Sequence, residues 1–110
     1  MASLTPKLLY IGNGDNANVY TANATANSYT IIKNINICNT TAVNTVVSLH
    51  ILTSGSSAAA NNKIISNVNI TANNVTFYNT SIVMPSNSAL YLDQAGSSAT
   101  VAISGVEYVA

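Results

Sequence analysis

The chain has 110 residues, a length that fits one domain with a single hydrophobic core. Hydrophobic residues make up 48% of it and charged residues only 5%, and three lysines balance three acidic residues to a formal net charge of zero. Segments rich in Ile, Val and Leu argue against disorder, and the lack of a basic patch argues against nucleic-acid binding.

The first 28 residues predict an arm, a strand and a turn-rich segment. Residues 1–6 are expected to form an N-terminal arm, and residues 7–11 a short apolar strand. The dense Gly and Asn of residues 12–16 favour a turn, because both residue types tolerate positive φ. A brief strand is predicted at residues 19–20. No charged n-region precedes a continuous apolar segment, so we expect no signal peptide.

Two apolar strands at the centre of the chain, residues 29–38 and 45–53, give its strongest structural signal. We predict that they form a pair joined by a polar turn that begins at residues 39–41. Period-two alternation of β-branched residues favours half-buried antiparallel strands over helix. In the first strand one face is predicted to carry Ile31, Ile35 and Ile37, and the other Ile32, Asn34 and Asn36.

The second half of the chain continues with short strands separated by turn signals. Residues 53–62 predict an exposed loop of small side chains, and Pro85 predicts the end of a strand because it cannot donate to a ladder. Alternation in the strand after the loop places Ile64 and Ile70 on one face and Ile65 on the other. The strands predicted in this half are residues 63–70, 75–78, 81–84, 89–93 and 99–106.

The spacing of these elements predicts the fold class. Seven or eight short strands, at intervals of roughly 8–12 residues and without significant helix, are typical of a β-sandwich. We therefore predict an all-β fold, an antiparallel β-sandwich or jelly roll, formed by residues 7–110 as a single domain after the arm at residues 1–6.

No constellation of residues in the sequence indicates catalysis. His50 is the only histidine, and alternation turns it away from the apolar side of its strand, which predicts a surface or interface histidine. A metal site would need at least two more good ligands. The remaining candidates are Asp15, Asp93, Glu107 and Cys38. We predict no enzyme activity, no catalytic, cofactor-binding or metal-binding residues, and no cofactor.

The composition also bears on partners. A protein with so few charges lacks the usual protection against self-association, so we expect other subunits to cover much of its surface. A coding sequence rich in A and T would favour the same composition. Cys38 has no partner for an internal disulfide and is expected to be a small buried hydrophobe. The chain has no run of 18 apolar residues, which predicts that it does not span a membrane.

Three segments carry a resemblance to a known family. They are LTPKLLY at residues 4–10, IIKNINICNTTAVNTVVSLHIL at residues 31–52 and TVAISGVEYV at residues 100–109. In this order they resemble small virion proteins and virion-protein domains of tailed bacteriophages. The residues that match the strand patterns of those proteins are Lys33, Ile35, Cys38, Asn39, Thr40, Thr41, Thr100, Ile103, Ser104, Gly105, Val106 and Glu107.

Two loops depart from the pattern of that family. Residues 54–60 stand where members often carry a Gly-Gly loop, and residues 85–88 stand where they often have an Ala-Gly-Asp turn. These departures bear on any binding role of the loops and leave the expected fold unchanged.

The resemblance implies a β-sandwich structural protein of the phage particle, synthesised and assembled in the host cytoplasm. Its partners would be other virion proteins, such as the major capsid protein or neck and tail proteins, and it would form a homo-oligomer such as a trimer. Because the chain is a bare single domain without a stalk or coiled coil, we expect a capsid decoration (cement) subunit whose residues 1–6 clamp a neighbour.

The alternative is a tail, collar or fibre component that contacts the host surface. The loop at residues 53–62 and some of the six tyrosines would then touch a glycan. Tyrosines can also pack at the rim of the core or anchor an interface between subunits, so their number alone does not decide between these roles.

Overall fold

A computed structural model describes residues 3–94 and 99–110, which form eight β-strands. The described residues contain no helix beyond a short 3₁₀ turn at Ala60–Asn62, and none that is long and apolar enough to cross a membrane. The predicted all-β class is confirmed. The strands are β1 (Ser3–Gly12), β2 (Ala17–Thr21), β3 (Tyr29–Asn39), β4 (Thr45–Leu52), β5 (Lys63–Ile70), β6 (Val75–Pro85), β7 (Ala89–Gln94) and β8 (Ala99–Val109).

The strands form two four-stranded antiparallel sheets. Sheet A has the order β1-β8-β3-β6 and sheet B the order β2-β7-β4-β5. Successive strands lie in opposite sheets, except that β4 and β5 are neighbours in sheet B. An eight-stranded double sheet with this alternation is a jelly roll, which confirms the predicted β-sandwich.

The two central strands do not pair with each other, so that part of the prediction is wrong. β3 lies in sheet A between β8 and β6, whereas β4 lies in sheet B between β7 and β5. The linking residues 40–44 therefore cross from one sheet to the other. Both strands are strongly apolar because each is flanked on both sides and fills the core with its inner face.

Asn39, at the end of β3, holds this crossing in place. Its buried side chain donates through Nδ2 to the carbonyl oxygens of Val43 at 2.7 Å and Ile70 at 3.1 Å. Its Oδ1 accepts bonds from the backbone N–H of Thr41 at 3.0 Å and from the Thr41 hydroxyl at 2.7 Å. Because both ends of the buried amide are bonded, Asn39 ties the crossing to the end of β5.

The hydrophobic core lies between the two sheets, and a β-bulge decides which residues of β3 enter it. Ile32 pairs with Gly105 and Asn34 pairs with Ser104, so Lys33 is an extra residue in β3. The bulge shifts the alternation by one position. The largest fully buried apolar side chains of the core are Ile32, Ile35, Ile37, Leu49, Ile70, Met84, Leu90, Leu92, Ile103, Val47 and Val101.

Register shifts in β3 and β5 make two of the predicted faces wrong. Ile31 was expected to share a face with Ile35, but it precedes the bulge and lies on the outer side of sheet A, while Ile32 is fully buried. In β5, the register shifts against β4 on either side of Ile65, so that Ile65 and Ile70 are both buried. Strict period-two alternation assigns these side chains to the wrong face, because an inserted residue moves all later side chains of the strand to the other face.

Several element boundaries also differ from the prediction, most of all those of β1 and β6. β1 begins at Ser3, and residues 3–6 pair with the last residues of β8, so the described part of the expected arm is strand. β6 runs without a break from Val75 to Pro85, where two short strands were expected, and it ends at proline as predicted. Residues 1–2 of the arm, and residues 95–98 of the predicted connection between the last two strands, lie outside the described residues.

Gly105 makes the close approach beside the bulge possible. A Cβ added there would overlap the carbonyl oxygen of Ile31 on β3, and this backbone atom cannot give way without moving the strand ladder. We expect Gly105→Ala to lower the free energy of unfolding by about 3 kcal/mol, measured by urea denaturation.

Ser104→Ala is the matched control for this substitution. It alters the neighbouring residue of β8, whose side chain lies on the outer side of sheet A, and should change the free energy of unfolding by less than about 0.5 kcal/mol. Equal stability of Gly105→Ala and the unaltered protein would contradict the close approach.

Candidate interaction surface

The outer face of sheet A, turned away from sheet B, carries two apolar patches. Residues at partner positions on neighbouring strands share a face of the sheet, so the register aligns their side chains in rows. The tyrosine patch consists of Leu4, Pro6, Tyr29, Ile31, Val83, Pro85, Val106 and Tyr108. The phenylalanine patch, at the other end of the strands, consists of Ile11, Cys38, Val75, Phe77 and Ala102.

A polar strip separates the two patches. Its row consists of Ser104, Asn34 and Asn79, with the apolar Leu8 of β1 at one end, and Asn36 lies beside this row, between Ala102 and Phe77. Asn34 Nδ2 donates to Asn79 Oδ1 at 2.9 Å. Lys33, the bulge residue beside the strip, is exposed, and its ammonium donates to the hydroxyl of Ser81 on β6 at 2.8 Å. Among the described residues of this face, Lys33 is the only charged one.

Exposed apolar side chains are concentrated on this face. Of the eight large hydrophobic side chains that the described part of the chain exposes, two lie elsewhere, Val43 and Val46. The six on the outer face of sheet A are Leu4, Leu8, Ile11, Val75, Phe77 and Val83. Exposed apolar patches of this kind mark a site of interaction.

The tyrosine patch has a defined internal arrangement. The rings of Tyr29 and Tyr108 stack with their centroids 4.8 Å apart and their planes inclined by 21°. Rigid stacked aromatic rings are typical of interface anchors, since little conformational entropy is lost when they are covered.

Cys38 lies in the phenylalanine patch. The prediction of a buried cysteine is wrong, because the inner positions at this end of β3 are taken by Ile37 and Asn39 and the thiol is only partly buried. It is a free thiol on the surface that the apolar patches form.

A groove opens along one side of the sandwich, between β5 of sheet B and β6 of sheet A. The groove has a volume of about 330 Å³, and both strands are edge strands of their sheets. The apolar side chains that line it are Ile35, Ile64, Ile65, Val68, Tyr78 and Ile82. The groove lies between two strand edges that no neighbouring strand covers among the described residues, so it offers a second place where another chain can pack.

His50 is a buried structural residue, and the prediction of a surface or interface histidine is wrong. Only 3% of it is exposed, and Nδ1 lies 2.6 Å from Oδ1 of Asn62. Asn62 Nδ2 donates to the Ser57 carbonyl at 2.8 Å and so fixes its Oδ1 as the acceptor that faces His50. The ring also meets Tyr91 edge-on at 5.6 Å. His50 therefore anchors the exposed loop at residues 53–62 on sheet B.

The outer face of sheet B is more polar. A cavity of about 250 Å³ there is lined by Val46, Ser48, Asn67, Asp93 and Gln94. Ser48 and Asn67 bond to each other, since the hydroxyl donates to Asn67 Oδ1 at 2.9 Å and accepts the Asn67 N–H at 2.8 Å. The cavity thus presents one carboxylate beside amide and hydroxyl groups.

A hydrogen-bonded cluster joins the two sheets near one end of the sandwich. The hydroxyl of Tyr20, on β2, donates to Glu107 Oε2 on β8 at 2.6 Å and lies 2.8 Å from the hydroxyl of Thr30 on β3. Lys7 of β1 forms an ion pair with Glu107 at 3.4 Å. The cluster connects the LTPKLLY segment with the TVAISGVEYV segment.

The environment of this cluster shifts two pKa values. Burial, assisted by the bond to Glu107, raises the pKa of Tyr20 to about 12. The hydrogen bond from Tyr20 is the main cause that lowers the pKa of Glu107; burial opposes this shift, and the nearby Lys7 ammonium lowers the pKa further. Both shifts favour the pair in which phenol is neutral and carboxylate is charged.

The candidate ligands of the sequence do not converge. Among the described residues, no three side chains of the His, Cys, Asp and Glu types lie close enough to hold a metal ion. Asp15 accepts a bond from the backbone of Gln94, and Glu107 belongs to the cluster with Tyr20. Sequence reasoning does not locate the apolar face of sheet A, because the face depends on which strands are neighbours and because the bulge at Lys33 conceals which side chains of β3 point outward.

Comparisons with protein-family models, with curated proteins and with solved structures find no match to this chain. The surface must therefore be interpreted from its own geometry.

The Tyr20 cluster predicts a distinctive dependence of stability on pH. Tyr20→Phe removes the donor to Glu107 and should lower the free energy of unfolding by about 1 kcal/mol near neutral pH. The pKa of Tyr20 is raised on folding, so its contribution is complete below pH 10 and lost between pH 10 and about 12. The pKa of Glu107 is lowered, so its contribution is lost as pH falls below its ordinary value of 4.5.

The difference in stability between Tyr20→Phe and the unaltered protein should therefore shrink at both extremes of pH, measured by urea denaturation across the range. Tyr29→Phe, which alters a ring on the outer face of sheet A, is the control. A difference that stays constant from acid to alkaline pH would show that the cluster does not act through these two ionisations.

Proposed function

We propose that this chain is a non-enzymatic structural subunit of a bacteriophage particle, and that it packs as a decoration subunit against neighbouring proteins of the head. The observation that carries the proposal is the outer face of sheet A. Two apolar patches flank a polar strip there, with Lys33 as the only charge among the described residues of the face. A surface of this composition is suited to close contact with another protein.

The segments that resemble phage virion proteins support the proposal from a second direction. Asn39 of the Cys-Asn-Thr-Thr pattern holds the crossing between the sheets, and Gly105 of the Ile-Ser-Gly-Val-Glu pattern allows β3 and β8 to approach. Glu107 of the same pattern joins both sheets through Tyr20. These three residues stabilise the sandwich, so the positions that match the family pattern have identifiable structural roles.

The proposed contact differs in one respect from the clamp expected of residues 1–6. Residues 3–6 are paired with β8, and Leu4 and Pro6 belong to the tyrosine patch. This segment would therefore contribute to binding as part of the sheet face. Its deletion would remove strand pairing as well as contact, so point substitutions on the face are the cleaner test.

Recruitment to phage heads tests the proposal. Purified protein should co-sediment with heads that lack it, and Phe77→Glu and Val83→Glu should each reduce occupancy at least about tenfold, because each would bury an unpaired charge. The exposed fractions of these side chains are 63% and 58%, so neither substitution disturbs the core.

Val43→Glu is the matched control for these two variants. Val43 is 66% exposed and lies in the crossing between the sheets, outside the rows of the outer face of sheet A. Its substitution should leave occupancy unchanged. Failure of the unaltered protein to bind heads, or equal loss of occupancy in all three variants, would contradict the proposed role.

The second candidate is a tail, collar or fibre component that binds a host-surface glycan. The observation that favours it is the polar cavity on sheet B, where Asp93 lies beside the amide of Asn67 and the hydroxyl of Ser48. Carboxylate and amide groups are suitable partners for sugar hydroxyls.

This candidate predicts binding of the purified protein to a glycan array, with loss of at least about tenfold in affinity for Asp93→Asn. Asp15→Asn is the control, since Asp15 lies outside the lining of that cavity. Absence of glycan binding together with recruitment to heads would exclude this candidate and support the first.

A further inference from the structure

We propose that the outer face of sheet A binds the same face of a second copy of this chain, in a twofold-symmetric dimer. The inference rests on the proposed function and deepens it: the neighbouring subunit that covers this face is a second copy of the chain, and contact with the shell is left to other surfaces, such as the groove between β5 and β6. It goes further by naming the occupant of the face and the symmetry of the contact.

The order of surfaces along the face is symmetric about its centre. The tyrosine patch lies at one end of the strands, the phenylalanine patch at the other, and the polar strip between them. A twofold axis that lies in the plane of the face, runs along or across the strands and passes through the centre of the face places strip on strip and apolar patch on apolar patch. The face is therefore complementary to itself, which is the requirement of an isologous contact.

The polar strip fits the same arrangement. The bond from Asn34 Nδ2 to Asn79 Oδ1 leaves each amide with a further polar atom, and Asn36 and Ser104 lie beside them. Side-chain amides carry both donors and acceptors, so a strip of them can bond to a copy of itself. A strip of one charge sign would instead repel its copy.

Charge points to the same occupant. A partner with a strongly charged surface would lose its hydration against these patches without gaining ion pairs. The chain itself has only 5% charged residues. Lys7 and Glu107, which pair with each other, lie at register positions that alternate with the outward rows. The ammonium of Lys33 bonds to Ser81 on β6, which is the edge strand of sheet A, so this charge is held toward the edge of the face.

The area of the face is sufficient for a stable dimer. Four strands spaced by about 4.8 Å, each about 10 residues long at about 3.3 Å per residue, give a flat area of roughly 600 Å². The accessible surface is larger because side chains corrugate it, and a stable interface buries about 800 Å² on each partner. Two sheets also pack face to face in this way within ordinary sandwiches.

Sedimentation equilibrium of the purified protein tests the inference, over concentrations from about 1 µM to 1 mM. We expect a monomer–dimer equilibrium, with the dissociation constant raised at least about tenfold by Phe77→Glu and by Val83→Glu and unchanged by Val43→Glu. Circular dichroism melting of each variant verifies that it is folded.

Three results would overturn the inference: a monomer at every concentration, a trimer, or a dimer that Val43→Glu weakens and the two face variants do not. The outcome is separate from that of the head-recruitment experiment. A monomer that still binds heads would refute the dimer and leave the proposed function standing. A dimer that does not bind heads would do the reverse.

Discussion

The arrangement of this molecule depends on one inserted residue in the middle of sheet A. Lys33 adds a position to β3 opposite β8, and the strands stay together only because Gly105 has no side chain to meet the carbonyl of Ile31. Before the bulge Ile32 enters the core, and after it Ile35 and Ile37 do so. Ile31 and Asn34 are turned outward as a result.

The division of β3 between core and surface determines the character of the outer face. Ile31 joins the tyrosine patch because it precedes the bulge, and Asn34 becomes the centre of the polar strip because it follows. On sheet B the corresponding face is covered in part by the loop that His50 and Asn62 anchor. The two faces of the sandwich are thus unlike each other, and the apolar one remains without a partner among the described residues.

The sequence predicts the class of the fold and most of its strands, because period-two alternation and turn residues are local signals. It does not predict the pairing. β3 and β4 are adjacent in sequence and equally apolar, and only the jelly-roll topology places them in separate sheets. Register shifts at Lys33 and near Ile65 are likewise not local signals, so the faces of Ile31 and Ile65 were assigned wrongly.

The sequence predicts that the protein has a surface covered by other subunits, but it does not predict where that surface lies. Low charge indicated that other subunits would cover the protein. Which face of which sheet carries the exposed apolar side chains depends on the topology. The roles of Cys38 and His50 were reversed for the same reason, since the thiol faces outward and the imidazole is buried under the anchored loop.

The most direct test of the central claim, that the outer face of sheet A is covered in the assembled state, is the reactivity of Cys38. This free thiol is the only cysteine of the chain and lies in the phenylalanine patch. Alkylation should be rapid in dilute, dissociated protein and at least about tenfold slower in protein bound to particles. A cysteine placed by Ser56→Cys in a Cys38→Ser background, on the far loop, should react equally in both states. Equal reactivity of Cys38 in free and bound protein would contradict the account.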